Sequence, residues 1–293
     1  MEHWYYRIEL SEGTFTSGKP QWTLALCRPF FQRVEKTGLR CLDIGTQEFV
    51  APVLFHRQGA AEIVAADILD LEEHRRAVVA AYGAKFHYAG GVPLLRLKEY
   101  LREKNISCVF DFVNFCGVLY HLPDPLTGLM MARSFLRVGG LMILETSFAI
   151  DAGYIARVNH HGRLYPGSNY FQVSLGALDY WARMLRMQII DAAFTAPANG
   201  IARVVMVLRG VEKPLAEPGD TWMQKEFVER DLATYGLNFA ELRSAAPPVV
   251  YRGTPRGVSH PGLNSLDLYE TFRQTEPVTL NPAFCSLRLS DAA

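Results

Sequence analysis

Between residues 38 and 210, short apolar runs alternate with stretches whose apolar positions recur at helical spacing. Arg40–Ile44 is the first run, short and continuous, as a strand buried on both faces requires. It ends at Gly45, and beyond Phe49 the side chains of Val50, Val53 and Leu54 share one helical face. Residues 63–66 predict a second strand, closed by Asp67. The pattern goes on to predict a helix over 69–82, a strand over 85–88, a helix over 93–103 and a strand over 108–115. A helix over 125–136, a turn at 137–140 and a strand over 141–146 follow. A helix over 177–187 precedes the last two strands, 188–194 and 201–209, joined by a loop short enough for a hairpin. This alternation specifies an α/β chain with a mainly parallel sheet, covered on both faces and finished by an antiparallel C-terminal hairpin.

The flanks are less regular. Trp4, Tyr5, Tyr6, Ile8 and Leu10 form an aromatic-rich opening, and a turn-like stretch covers 11–18. Residues 20–36 predict an amphipathic helix despite Pro29. The opening suits a lid over a ligand and an arm packed on the core equally well. Past 210 the pattern decays into one helix near 222–235 and a Pro-, Gly- and Ser-rich stretch over 245–261. The chain therefore divides into an N-terminal arm and helix (1–37), a main domain (38–210) and a C-terminal extension (211–293). Leu263, Leu266, Leu268 and Phe272 in the extension require something to pack on. Its own core, the rim of a site and a second subunit (a homodimer) all stay open.

Composition narrows the partners. Thirty basic residues balance thirty acidic ones, so no whole-molecule field attracts a polynucleotide, and nucleic acid is disfavoured. The five cysteines are widely spaced, and Cys41, Cys108 and Cys116 sit in apolar runs. That fits a reduced interior and a cytoplasmic setting. No leader-like opening and no apolar stretch of about 18 residues occurs, so no membrane span is expected. His160 and His161 are adjacent and no H-E-x-x-H occurs, so no metal is expected.

The chemistry is expected around Gly45. A glycine turn lets backbone approach a ligand, and an acid after the next strand accepts from ribose hydroxyls. Asp67 has that place, with capping of the following helix as the lesser reading. Asp43 is either a turn-bonding acid or a cofactor contact. Asn114, Phe115 and Cys116 lie at the C-terminal end of the fourth strand, where open α/β sheets hold ligands. A nicotinamide site is disfavoured because G-x-G-x-x-G is absent after the first strand.

LDIGT at 42–46, AADI at 65–68, FDFVNFCGVLYHLPDPL at 110–126 and LRVGGLMILET at 136–146 resemble class I S-adenosylmethionine-dependent methyltransferases. Within them the chain is similar to the branch of the tRNA wobble-uridine carboxymethyltransferase and its small-molecule relatives. The opening W-Y-x-x-I-x-L-x-x-G-x-x-T-x-G and Asn169-Tyr170-Phe171 are also similar to that branch. The resemblance implies a Rossmann-like seven-stranded methyltransferase sheet and S-adenosylmethionine as cofactor. It implies cofactor contacts at Asp43, Gly45, Thr46, Asp67, Ile68, Asn114, Phe115 and Cys116. It further implies acceptor contacts at Tyr6, Tyr165, Asn169 and Tyr170, with Tyr120 and His121 nearest the chemistry. Phe49 departs from the pattern, which has glycine there, and is expected to displace the turn or modify the pocket. The reaction implied is methyl transfer to a small molecule, with an oxygen acceptor favoured. Transfer of a methyl or carboxymethyl group to a tRNA base, and a non-catalytic binding protein on the same fold, are the alternatives.

Overall fold

The computed structural model describes residues 3–163 and 169–291. The chain divides into two compact units. The first comprises Met1–Asn114, Val250–Arg252 and Thr279–Ala293; the second comprises Phe115–Val249 and Gly253–Val278.

In the first unit, four parallel strands carry the site: β3 (Arg40–Ile44), β4 (Glu62–Ala66), β5 (His87–Ala89) and β6 (Phe110–Cys116), which runs on into the second unit. Their order is β6-β3-β4-β5. Cys41, Leu42, Val64, Ala65, Phe112 and Val113 are fully buried, which is why these strands show unbroken apolar runs rather than alternation. At the N-terminal ends of these strands, Asp111 accepts from the Arg40 backbone N–H at 2.8 Å, and the Arg40 guanidinium pairs with Glu62 at 2.7 Å. Three neighbouring strands are thereby held in register.

The helices here are α1 (Trp22–Arg33), α2 (Val50–Arg57), α3 (Glu72–Tyr82) and α4 (Leu97–Glu103). The helix expected from residue 69 begins only at Glu72. Asp67 accepts from the Leu69 N–H and Tyr88 Oη from the Leu71 N–H, so these residues serve the turn instead. The opening packs part of its side chains within the first unit. β1 (Glu9–Ser11) pairs with β2 (Thr14–Phe15), Ile8 is fully buried and bridges to Leu287, and Trp4 lies edge-on to His74 at 4.3 Å.

In the second unit, α5 (Pro125–Arg133) is capped by Asp124, whose carboxylate accepts from the Thr127 N–H at 3.1 Å. β7 (Leu136–Ala149) follows, then the short strands β8 (Ala156–Val158) and β9 (Phe171–Ser174). Next come α6 (Leu175–Met184), β10 (Met187–Phe194), β11 (Ile201–Gly210), α7 (Glu226–Thr234) and α8 (Leu268–Gln274). β10, β11 and β7 are antiparallel in that order; β9 lies parallel to β7, and β8 antiparallel to β9. The C-terminal hairpin is thus present. The turn expected at 137–140 is instead the start of β7. Gly139 O accepts from the Val249 N–H at 2.9 Å and from Arg209 at 3.2 Å, partners supplied from far along the chain.

Candidate functional site

The turn after β3 is wound tightly. Gly45, Gln47 and Phe49 all have left-handed φ, at 75°, 50° and 63°. The N–H groups of Gly45 and Thr46 both donate to Ala66 O, at 2.8 and 3.1 Å. Asp67 completes the clamp: Oδ2 accepts from the Gln47 N–H at 2.7 Å and Oδ1 from the Leu69 N–H at 2.9 Å. Asp67 is therefore both the expected acid after β4 and the buttress of the turn. Each carboxylate oxygen keeps a further lone pair for a ligand hydroxyl. Burial raises its pKa, and the N–H groups of Leu69, Gln47 and Ile68 oppose that.

Phe49 stands just before α2, with φ 63° and ψ 20°. Its side chain is fully buried, stacked on Phe86 at 5.3 Å and edge-on to Tyr88 at 4.9 Å. The left-handed backbone that suits glycine is retained, and the ring is turned into the core. Beside it, the buried Glu48 carboxylate accepts from the backbone N–H groups of Tyr5 and Tyr6 at 2.6 and 2.7 Å. That fixes Tyr6 through its backbone and leaves Tyr5 partly exposed.

At the C-terminal ends of β3 and β6, Asn114 Nδ2 donates to Asp43 Oδ1 at 2.6 Å. Asp43, Thr46 and Asn114 are all buried, yet Asp43 Oδ2, Thr46 Oγ1 and Asn114 Oδ1 lack a hydrogen-bond partner of ordinary geometry. Buried polar atoms are nearly always satisfied; Thr46 still leans on Asp43 outside ordinary geometry and Asn114 Oδ1 has no partner, so these neighbouring residues have capacity for a ligand or water. Burial pushes the Asp43 carboxyl up to about 6; Thr46 and Asn114 favour its charged form, and Asp67 opposes it. Ile68, just past Asp67, is 68% exposed, an apolar surface at the mouth of the turn.

The second unit holds the other expected residues. Phe115 is fully buried, and Cys116 Sγ donates to Ile143 O at 3.7 Å. Gly117 turns the chain with φ 75°, and Leu119–His121 forms a single 3-10 turn. Tyr120 Oη accepts from Arg203 Nη2 at 3.0 Å. Arg203 is held bidentately by Glu145, at 2.5 Å from Nε and 2.8 Å from Nη2, with both side chains buried. Burial works against the Arg203 charge, but Glu145 outweighs it and keeps the guanidinium above its ordinary value. His121 is exposed, its ring 4.3 Å from that of Tyr120. The Tyr170 N–H donates to Tyr120 O at 2.9 Å while the Tyr170 ring is 52% exposed. Asn169 is buried, and its carbonyl accepts from Asn159 Nδ2 at 2.9 Å. Tyr165 lies outside the described residues. Sequence reasoning missed Glu145 and Arg203; the signal was an acid in β7 and a base in β11, each flanked by apolar residues in a strand buried nearly throughout.

Among the described residues no group of three or more His, Cys, Asp or Glu could hold a metal ion. No helix among them is long and apolar enough to cross a membrane.

The strand order, the glycine turn and the acid after β4 make a Rossmann-like α/β fold. The solved structures that share it include two that cover 71% of this chain. One is the N-terminal domain of EvdMO1, crystallised in the presence of SAH and D-fucose: 20% identity, TM-score 0.51, covering 71% of this chain and 92% of that one. The other is the [4+2]-cyclase SpnF: 13% identity, TM-score 0.51, covering 71% and 87%. A cyclase on this fold shows that the fold alone does not choose the reaction. A tRNA U34 carboxymethyltransferase of Chromohalobacter salexigens is 35% identical over 92 residues, 31% of this chain. The chain matches about a quarter of that relative's length, 27%. No family profile matches the chain.

Proposed function

We propose that the chain is an S-adenosylmethionine-dependent methyltransferase acting on a small molecule, with a hydroxyl oxygen as acceptor. The carrying observation is the trio of buried atoms without a hydrogen-bond partner of ordinary geometry, Asp43 Oδ2, Thr46 Oγ1 and Asn114 Oδ1, at the strand ends beside the glycine turn. They fit a ligand rich in hydroxyl and amino groups. Asp67 has lone pairs left for ribose hydroxyls, and Ile68 offers an apolar surface for a flat ring. A neighbour on the same fold crystallised with SAH supports the same cofactor.

When bound, the sulfonium supplies an electrophilic methyl that needs little further activation. The chain has to position the acceptor, exclude water and take its proton. His121 is exposed on the turn after β6, an imidazole placed to take the acceptor's proton. Tyr120, anchored by Arg203, is suited to holding the acceptor in place. The zero formal charge does not favour a polynucleotide, but the carboxymethyltransferase match keeps transfer to a tRNA base as the second reading.

Calorimetry with S-adenosylmethionine between pH 5 and 6.5 tests the cofactor half. Asp43 titrates near 6, so affinity should fall as pH drops through that value, and Asp43→Asn should bind weakly and without the pH dependence. No binding at millimolar cofactor would favour the non-catalytic reading. For the acceptor half, single-turnover transfer by His121→Ala should be about 10²–10⁴-fold slower with cofactor affinity unchanged. A wild-type rate in that variant would make the histidine structural. Steeply salt-dependent retention of tRNA on a filter would move the acceptor to the second reading.

A further inference from the structure

A separate cavity of about 390 Å³ lies in the second unit, in the size range of small-molecule sites. Three residues of α7 (Val228, Glu229 and Leu232) line it, and α7 has no fully buried side chain, so the helix covers a space rather than a packed core. The apolar wall includes Met184, Met223 and Phe239. Arg186, Lys213 and Lys225 bring three cations to the same lining, against one acid, Glu229. Glu229 is taken by Arg186 at 2.7 Å, and its side chain is 55% exposed. Neither lysine makes an ion pair among the described residues.

Behind the lining the imbalance deepens. The Arg186 guanidinium lies 3.8 Å over the Phe239 ring, and the Arg133 guanidinium is 5.5 Å from the same ring. Arg133 is wholly buried. Its Nε donates to Leu185 O and its Nη1 to Leu136 O, while Nη2 has no partner. No carboxylate pairs with it among the described residues. Burial, and after it the neighbouring Arg186, push it down to about 9. Buried charges are normally paired, and here the counter-charge is missing.

We propose that this cavity binds an organic carboxylate with a short aliphatic body, its anion facing Arg186, Lys213 and Lys225 and its tail against the methionine wall. A monoanion suits a lining that sets three cations beside six apolar residues, and the unbranched thioethers of Met184 and Met223 adapt to a flexible chain. The proposal does not rest on methyl transfer, and its test uses none.

The probes are octanoate, octan-1-ol and inorganic phosphate, measured on the full chain by calorimetry and thermal melting. Octanoate should bind at least tenfold tighter than either of the others and raise the melting temperature. Leu232→Trp, which fills the cavity, and the surface pair Lys213→Gln/Lys225→Gln should each weaken octanoate at least tenfold with unchanged circular dichroism. The lysine pair is exposed, so it carries the test if the tryptophan variant fails to fold. Octanol binding as well as octanoate would reduce the cavity to an apolar hole. Phosphate binding as well as octanoate would reduce it to an anion patch. Either result, or wild-type affinity in the lysine pair, overturns the proposal.

Discussion

At Phe49 two requirements meet in one residue: a left-handed backbone that glycine would adopt freely, and a ring that fills the core against Phe86 and Tyr88. The strain is of order 1–3 kcal/mol, while losing a buried phenylalanine costs about 3–5. Packing wins, so Phe49→Gly should destabilise the protein by about 2 kcal/mol or more in urea unfolding, with cofactor affinity unchanged. An increase in affinity would show that the ring obstructs the pocket after all. Lys36 is the other telling residue. It is fully buried, donates to Phe31 O and Val34 O at the end of α1, and lies over the rings of Phe112 and Phe55. Burial pushes its ammonium down to about 7 from 10.5. The unfolded chain thus binds more protons above pH 7, and stability should rise with pH there. A neutral amine keeps two N–H donors, enough for both carbonyls. Above pH 9 Cys41, pushed up to about 12 by burial, acts in the opposite sense. Between pH 7 and 9 the wild type should therefore gain about 2–3 kcal/mol relative to Lys36→Met, read from denaturant midpoints. Parallel curves for the two proteins would refute the shift.

At the scale of elements, what was legible depended on how local the cause is. β3 has the boundaries its apolar run implies, and the β10–β11 hairpin follows from two apolar runs and a short loop. The start of β7 was illegible because Val249 and Arg209, which give Gly139 its partners, lie far along the chain. β8 was illegible because all its residues are exposed and carry no burial pattern. In the candidate site, Asn114 was expected from its strand-end position and Asp43 was left open between a turn-bonding acid and a cofactor contact; the structure pairs the two side chains at 2.6 Å. The Glu145–Arg203 pair needed the register: Glu145 lies opposite Val205, so Arg203 reaches it diagonally across β7 and β11. Arg203→Leu leaves Glu145 buried without its partner, at a cost of about 3–5 kcal/mol. Glu145→Leu/Arg203→Leu should recover at least part of that loss, because burying an ion pair offsets much of its own attraction. A double variant as unstable as the single one would mean that Arg203 contributes chiefly by packing and by holding Tyr120.

At the scale of the whole molecule the question is what residues 211–293 do. The sequence left a core, a site rim and a second subunit open. Within the first unit, Leu287 is fully buried and bridges to Ile8, Arg28 donates to Ser286 O, and Asp291 pairs with Arg28 at 3.0 Å. Within the second, Leu237 and Leu268 are fully buried, Leu242 and Val249 nearly so, and Phe272 lies 5.3 Å from both Phe148 and Phe194. Each such side chain contributes about 1.5–3 kcal/mol of burial, and a domain is stable by only about 5–15 kcal/mol. The segment is therefore part of the core of each unit. Truncation after Gly210 should abolish cooperative thermal unfolding and leave the product aggregated or protease-sensitive, with cofactor binding lost along with the fold. A segment that only rimmed a site or faced a second subunit would leave the melting temperature and cofactor affinity near the full-length values. That outcome would show that the burial seen here contributes little to folding.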